Sequence, residues 1–311
     1  MAVLLATTLA PADQLAWREA LTQELPGETF VDLHDTASGA RIDVAVVANP
    51  PAGCLAGLGD LRLIQSLWAG VDRLLDDPSL PAGVPVARMV DPAMNRAMAE
   101  TALWAVLSLH RDHFAYARQQ REHRWQQLPQ RRADEVRVLV LGLGQMGATV
   151  ARTLLGAGYR VSGWSTRLAQ LDGIDCHAGE AALAPLLGAA DVLVNLLPLT
   201  PATRGFFDAA MLSRLRRGAG FINFARGAHV VEADLLAALE AGQVGHAVLD
   251  VFATEPLPPE HAFWSHPRVT VLPHAAAETD VRSAAAVAAA NVRALREGRP
   301  LANLVDRARG Y

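Results

Sequence analysis

The sequence predicts an α/β protein built on parallel sheets, and three observations carry that prediction. Strand and helix candidates alternate along the chain, a pattern that favours parallel strands joined by crossover helices. The apolar run Val136-Arg-Val-Leu-Val-Leu141 ends in Gly142-Leu-Gly144-Gln145-Met146-Gly147, a G-x-G-x-x-G spacing that leads into a helix. At 311 residues with 51% hydrophobic content, the chain is long enough for two domains with a core each.

The first third alternates without a glycine fingerprint. Strands are expected over residues 2–6, 29–32, 42–48, 61–67 and 84–88, with helical pieces over 13–24, 52–58 and 71–76. Gly70 follows a buried strand and Trp68-Ala69, and precedes Val71. A turn after a parallel strand aims backbone N–H groups at the carboxyl edge of the sheet, where open α/β folds bind ligands. The amides of Ala69, Gly70 and Val71 are candidates for a small anionic group; an ordinary strand-to-helix turn is the plainer alternative. A long helix over 95–120 comes next and runs into Arg118-Gln-Gln-Arg-Glu-His-Arg-Trp-Gln-Gln127, an arm too polar for a core. That arm is either a solvated linker or a surface for a partner subunit, and Trp125 favours the partner.

The glycine turn organises the rest. Gly142 permits the tight turn, Gly144 lets backbone approach a pyrophosphate, and Gly147 lets the helix sit close to the strand. Unpaired N–H groups and the helix dipole favour an anion there. Further strands are expected over 159–164, 191–196, 220–224, 245–251 and 268–272, with helices over 207–215, 232–240 and 278–296. Leu187 and Gly188 read as a Gly/Ala turn, and the closing helix as a return to the first domain. The breaks in organisation fall near 118–134 and at 256–259.

Composition narrows the chemistry. All 28 basic residues are arginine, so Schiff-base lysines, a P-loop lysine and lysine general bases are excluded. A net charge of −4 gives no reason to expect nucleic acid. There is no apolar run of membrane-spanning length, so no membrane partner is expected. Cys54 and Cys176 make neither a disulfide framework nor a metal spacing, which suits a reducing cytosol and implies no metal.

The cofactor type turns on the end of the strand after the glycine helix. In such folds an acidic residue there takes the ribose 2′-hydroxyl. Here Arg160-Val-Ser-Gly-Trp164 runs into Ser165-Thr166-Arg167, and Asp172 comes only later. Two hydroxyls and a guanidinium suit a 2′-phosphate, so NADP(H) is expected over NAD(H), with an Arg167 that is merely exposed as the alternative.

Hydride transfer to a keto acid needs a cation to orient the carboxylate, an acid for the forming alkoxide, and a group that keeps that acid charged. Arg226, His274 and Glu255 supply those types in that order. Taken singly, each has a structural explanation as a strand-end cap, a satisfied histidine or a turn carboxylate.

Taken together, residues 138–151, Leu197-Pro-Leu-Thr-Pro201, Asn223-Phe-Ala-Arg-Gly227, Leu249-Asp-Val-Phe-Ala-Thr-Glu-Pro256 and Leu272-Pro-His-Ala-Ala276 resemble the D-isomer-specific 2-hydroxyacid dehydrogenase family. Gln65-Ser-Leu-Trp-Ala-Gly-Val-Asp72 matches its substrate-anchoring turn, and Val305-Asp-Arg-Ala-Arg-Gly-Tyr311 looks like the glyoxylate/hydroxypyruvate reductase A type. The resemblance implies two Rossmann-like or flavodoxin-like domains with a cleft between them. Residues 1–93 plus 280–311 would form the substrate domain, 94–279 the dinucleotide domain, and the cofactor domains would pair as a homodimer. It assigns catalysis to Arg226, Glu255 and His274, and carboxylate binding to Arg226 with Ala69, Gly70 and Val71. Cofactor contacts would come from Gly142, Gly144, Gln145, Met146 and Gly147, from Ser165, Thr166 and Arg167, and from Leu197, Pro198 and Thr200. Ala225, Arg226, Asp250 and His274 would complete them, Asp250 meeting the nicotinamide carboxamide.

Similar reductases often carry Trp-His before the Pro-Pro pair, where this chain has Ala48-Asn49 before Pro50-Pro51. The change leaves room for a 2-keto acid bulkier than glyoxylate. The expected activity is NADPH-dependent reduction of glyoxylate or hydroxypyruvate. The alternatives are a redox-sensing dinucleotide-binding regulator and another dehydrogenase of the same family, acting on D-lactate or phosphoglycerate.

Overall fold

The computed structural model describes residues 1–34 and 40–311. It divides into two compact units, Met1–Met94 with Thr279–Tyr311, and Asn95–Glu278.

Unit 1 is a parallel sheet of β1 (Ala2–Thr7), β2 (Thr29–Asp32), β3 (Ile42–Ala48), β4 (Leu63–Ser66) and β5 (Val86–Ala87), in the order β2-β1-β3-β4-β5. This is the flavodoxin-like order. β1 and β3 are buried along almost their whole length, as expected of strands covered on both faces. Helix α1 (Pro11–Glu24) buries Trp17 and Leu21. The short α2 (Asp72–Leu75) follows the turn after β4. Residues 52–58, expected as a helix, are a run of turns, because Gly53 and Gly57 take φ of +78° and +79°, which a right-handed helix does not admit.

Unit 2 carries β6 (Arg137–Leu141), β7 (Arg160–Ser165), β8 (Asp175–Ala178), β9 (Val192–Asn195), β10 (Ala219–Asn223), β11 (Val244–Leu249) and β12 (Val269–Val271). Their order is β12-β11-β10-β9-β6-β7-β8, all parallel. This is the Rossmann order with one added strand, reversing direction between β6 and β9. The expected single helix over 95–120 is two, α3 (Pro92–His110) and α4 (His113–Arg121), because Asp112 adopts a left-handed φ of 57°. α5 (Gln145–Gly156) packs on the sheet through Val150, Ala151 and Leu154. Leu187 and Gly188 belong to α6 (Glu180–Ala189), whose buried Leu183 and Leu187 hold it to the core; the expected turn there is absent. α7 (Ala209–Ser213) is shorter than expected, while α8 (Glu232–Glu240) matches.

The last helix, α9 (Val281–Arg296), belongs to unit 1. An alanine stripe (Ala284, Ala285, Ala288) lies buried. Asn291 donates to Gln65 Oε1 (2.7 Å), and Arg296 spans Glu28 (Nε to Oε1, 2.6 Å) and the wholly buried Asp43.

Candidate active site

Each functional segment of unit 2 follows a strand and sits at the carboxyl edge of the sheet. The glycine turn follows β6, Ser165–Arg167 follows β7, Leu197–Thr200 follows β9, Arg226 follows β10, Asp250 and Glu255 follow β11, and His274 follows β12. Strand order sorts them: β10 to β12 carry the titratable groups, while β9, β6 and β7 carry the remaining cofactor candidates.

The glycines divide their work sterically. Gly142 has φ +95°, and a Cβ there would stand 2.5 Å from Leu196 O. A Cβ on Gly147 would meet Gly142 O at 1.7 Å, so only glycine lets α5 approach the turn. Around Gly144 a Cβ would meet nothing within 4 Å, leaving open space at the helix start. Gln145 is exposed and Met146 half-buried. A tight turn, a close helix and an open central glycine fit the pyrophosphate of NAD(P). Beyond β7, the Ser165 hydroxyl donates to Arg167 O (2.5 Å), and Thr166 and Arg167 are exposed.

Leu197–Thr200 is held from beneath. Leu197 N donates to Asn195 Oδ1 (3.2 Å), Thr200 N to Thr203 Oγ1 (2.8 Å), and Thr203 Oγ1 to Pro198 O (2.7 Å). Asn195, Asn223 and His229, all fully buried, form a network that sequence reasoning missed. Asn195 Nδ2 donates to Asn223 Oδ1 (2.9 Å) and lies 3.0 Å from His229 Nδ1, while His229 Nε2 lies 3.3 Å from Pro198 O. An acceptor at Nε2 and a donor at Nδ1 make this a neutral histidine protonated on Nε2. Asn223 Nδ2 in turn donates to Arg226 O (3.0 Å), so one network fixes both the Leu197–Thr200 segment and the backbone of Arg226. Its only sequence signal was a polar residue closing each of two apolar strands.

His274 and Glu255 meet directly: Nδ1 lies 2.8 Å from Oε2. Glu255 Oε1 accepts from Phe252 N (3.0 Å), which orients the carboxylate. Glu232 reinforces that loop by accepting from Ala253 N (3.1 Å). The hydrogen bond to Glu255 raises the His274 pKa above the ordinary histidine value, against burial and the Arg226 guanidinium, which oppose it. Asp250 serves this loop from inside. Its backbone oxygen accepts from His274 N (2.9 Å), and its carboxylate accepts from Ala275 N (2.7 Å) and Ala276 N (3.1 Å). Burial pushes the Asp250 pKa up, and the two N–H groups pull it back. Holding His274 at φ 56° is the visible consequence. Ala225 is buried and its oxygen accepts from Arg226 Nη1 (2.8 Å). A Cβ on Gly227 would lie 1.8 Å from the Phe252 carbonyl carbon, so the Arg226 and Glu255 loops touch backbone to backbone.

Ala69, Gly70 and Val71 lie in unit 1, after β4 at the carboxyl edge of its own sheet. Ala48 closes β3, and Asn49 follows at φ 46°.

Residues 103–276 match the family model described as D-isomer specific 2-hydroxyacid dehydrogenase, NAD binding domain. A protein named glyoxylate/hydroxypyruvate reductase A from Yersinia enterocolitica is 43% identical over 274 residues, covering 86% of this chain and 88% of the relative. The chain belongs to the D-isomer specific 2-hydroxyacid dehydrogenase family. Among solved structures, a 2-hydroxyacid dehydrogenase from Xanthobacter autotrophicus Py2 in complex with NADPH and MES superposes with TM-score 0.94 at 40% identity, covering 100% of this chain and 99% of that one. An NADPH-dependent glyoxylate/hydroxypyruvate reductase from Sinorhizobium meliloti, in complex with NADP and sulfate, gives TM-score 0.91 at 38% identity, with 99% of each chain covered. This 2-hydroxyacid dehydrogenase is therefore of the glyoxylate/hydroxypyruvate reductase A type, binds NAD(P) and reduces 2-keto acids.

Proposed function

We propose that the dehydrogenase reduces glyoxylate and hydroxypyruvate to glycolate and glycerate with NADPH, and that His274 donates the proton. The observation that carries this reading is the 2.8 Å pair of His274 and Glu255 at the same sheet edge as Arg226 and the glycine turn. Glu255 occupies Nδ1 and favours the imidazolium, leaving Nε2 to protonate the carbonyl oxygen as it becomes a hydroxyl. Arg226 holds the carboxylate and polarises the carbonyl, and the amides of Ala69, Gly70 and Val71 hold the carboxylate from unit 1. Gly142–Gly147, Leu197–Thr200, Ala225 and Asp250 would hold NADPH, which would supply the hydride when bound. Ser165, Thr166 and Arg167 favour its 2′-phosphate, since no carboxylate stands at the end of β7. With Ala48-Asn49 before Pro50, larger 2-keto acids are accepted as well. Residues 1–93 with 280–311 act as substrate domain and 94–279 as cofactor domain.

The enzyme works as a homodimer joined through its cofactor domain. There α3 exposes Trp104 and Leu107 along a groove of about 590 Å³, and Trp125 is fully exposed on the polar arm. Unpaired Cys54 and Cys176 suit a cytosolic location.

Loss of 340 nm absorbance when NADPH and glyoxylate are mixed with the enzyme tests the function. His274→Ala is expected to lower kcat by about 10²–10⁴-fold, the usual contribution of a positioned acid. A redox sensor would bind NADPH without turnover and be indifferent to His274→Ala, and either result overturns the reading.

A further inference from the structure

Arg88 follows β5 at the carboxyl edge of the unit 1 sheet, and its surroundings lack what a half-buried arginine requires. The backbone here is stitched to the substrate-anchoring segment, because Met89 N donates to Trp68 O (3.0 Å), one residue before Ala69. The Arg88 guanidinium is half-buried yet makes no hydrogen bond or ion pair with any described residue. Burial moves its pKa downward, with no carboxylate among the described residues pulling the other way. The other partly buried arginines of unit 1 are all engaged: Arg18 by Asp32 and Phe30 O, Arg296 by Glu28 and Asp43, Arg293 by Glu24 O, Arg307 by Pro81 O and Val84 O.

A guanidinium stays protonated in proteins and cannot relieve its burial by losing charge. Taking it partly out of water without a partner is unfavourable unless an anion from outside completes it. The neighbouring segment has the same imbalance. The amides of Ala69, Gly70 and Val71 have no acceptor among the described residues, and Trp68 Nε1 is buried without one. Donors and positive charge therefore accumulate along one sheet edge with nothing among the described residues to receive them. That imbalance matches an oxygen-rich anion.

We infer that Arg88 is a further substrate-binding residue, whose guanidinium takes a carboxylate of the 2-keto acid beside the turn amides of Ala69, Gly70 and Val71. The inference rests on the reading of that turn as the substrate anchor. It adds a cation to the substrate domain itself, separate from Arg226.

Kinetics of Arg88→Gln and Arg88→Lys test it, with glyoxylate and 2-oxoglutarate as substrates. Arg88→Gln is expected to raise KM for the keto acid about tenfold or more, with kcat changed less than about threefold and KM for NADPH unchanged, as befits one charged hydrogen-bonding partner. Arg88→Lys should recover part of the loss. A rise with both acids assigns Arg88 to the carboxylate beside the carbonyl, and a rise with 2-oxoglutarate alone assigns it to a distal one. The melting temperature of Arg88→Gln should equal or exceed that of the wild type, since an uncompensated charge is removed; a structural role would lower it. Oxalate, an unreactive carboxylate, should raise the melting temperature of the wild type and not of Arg88→Gln. Unchanged KM for both acids together with undiminished stabilisation by oxalate overturns the inference while leaving the reductase assignment intact. A wild type that turns over neither acid sinks the proposed function instead, and the oxalate comparison then still decides whether Arg88 binds a carboxylate.

Discussion

Replacing Glu255 with Gln removes one charge while keeping the side-chain shape and the oxygen that accepts from Phe252 N. The Gln amide then donates to His274 Nδ1 and favours the neutral ring, so the imidazolium survives only to lower pH than in the wild type. In the proposed reaction reduction consumes the imidazolium, so the pH at which kcat/KM begins to fall should move down. The size of the effect follows from exposure. The His274 side chain is 53% and the Glu255 side chain 23% exposed, placing the pair between a surface ion pair (~0.2–1 kcal/mol) and a buried charged hydrogen bond (~1.5–3 kcal/mol). About 1 kcal/mol is appropriate, which is roughly a fivefold loss of kcat/KM on the alkaline side and none at acid pH, where both rings are charged.

Stability follows the same sign. A histidine whose pKa is raised by folding contributes stability that is full below its unfolded value of about 6.5 and is lost as pH rises through the folded value. The difference in melting temperature between wild type and Glu255→Gln should therefore be largest between about pH 5 and 6.5 and shrink above it. Keto-acid reduction followed at 340 nm across pH, paired with thermal melts in the same buffers, measures both. Profiles that differ only by a constant factor, or a variant limb displaced to higher pH, would show that Glu255 does not sustain the charge on His274.

Arg167→Ala should raise KM for NADPH about tenfold and leave KM for NADH nearly unchanged, since only the former loses a charged partner; equal changes would refute the 2′-phosphate assignment. Gly227→Ala should cost at least about 3 kcal/mol in urea unfolding and abolish turnover, because its Cβ would lie 1.8 Å from the Phe252 carbonyl carbon and both neighbours are backbone; a variant of near-native stability would mean the two loops are not in register as described. Arg296→Met should cost about 3 kcal/mol by leaving the buried Asp43 without its cation, and a loss below about 1 kcal/mol would mean that α9 is held by its alanine face alone.

What the sequence reveals depends on whether the constraint is local. β2, β3 and α8 match their expected limits residue for residue, because each is a compact pattern between turn or polar residues. The edge strand β8 (Asp-Cys-His-Ala) was missed, since none of its residues is fully buried and no alternation marks it. The Gly/Ala turn expected at Leu187 and Gly188 is the last part of α6, whose burial of Leu183 and Leu187 outweighs the breakers Pro185 and Gly188. The break before α4 has no Gly or Pro to announce it, and the left-handed residue is Asp112. In the site, the glycines were legible because steric exclusion at Gly142 and Gly147 admits no other residue. The Asn195–Asn223–His229 network was not, because it joins positions 28 and 34 residues apart that no local pattern links.

The same distinction explains how residues as far apart in sequence as Arg226 and His274 come to one sheet edge. Arg226 follows β10, Glu255 follows β11 and His274 follows β12, and those strands are consecutive neighbours in the sheet. Adjacent strands lie about 4.8 Å apart, so parallel pairing alone brings the three chain ends within about 10 Å along one edge. Short-range contacts then set the final positions: Gly227 against Phe252, Phe252 N on Glu255, and Asp250 on Ala275 and Ala276. Strand order thus supplies the proximity and a few backbone hydrogen bonds supply the aim. Substitutions within the β10–β12 strands should therefore act through stability, whereas substitutions at Asp250 or Gly227 should misdirect His274 and Glu255 even where the sheet remains folded.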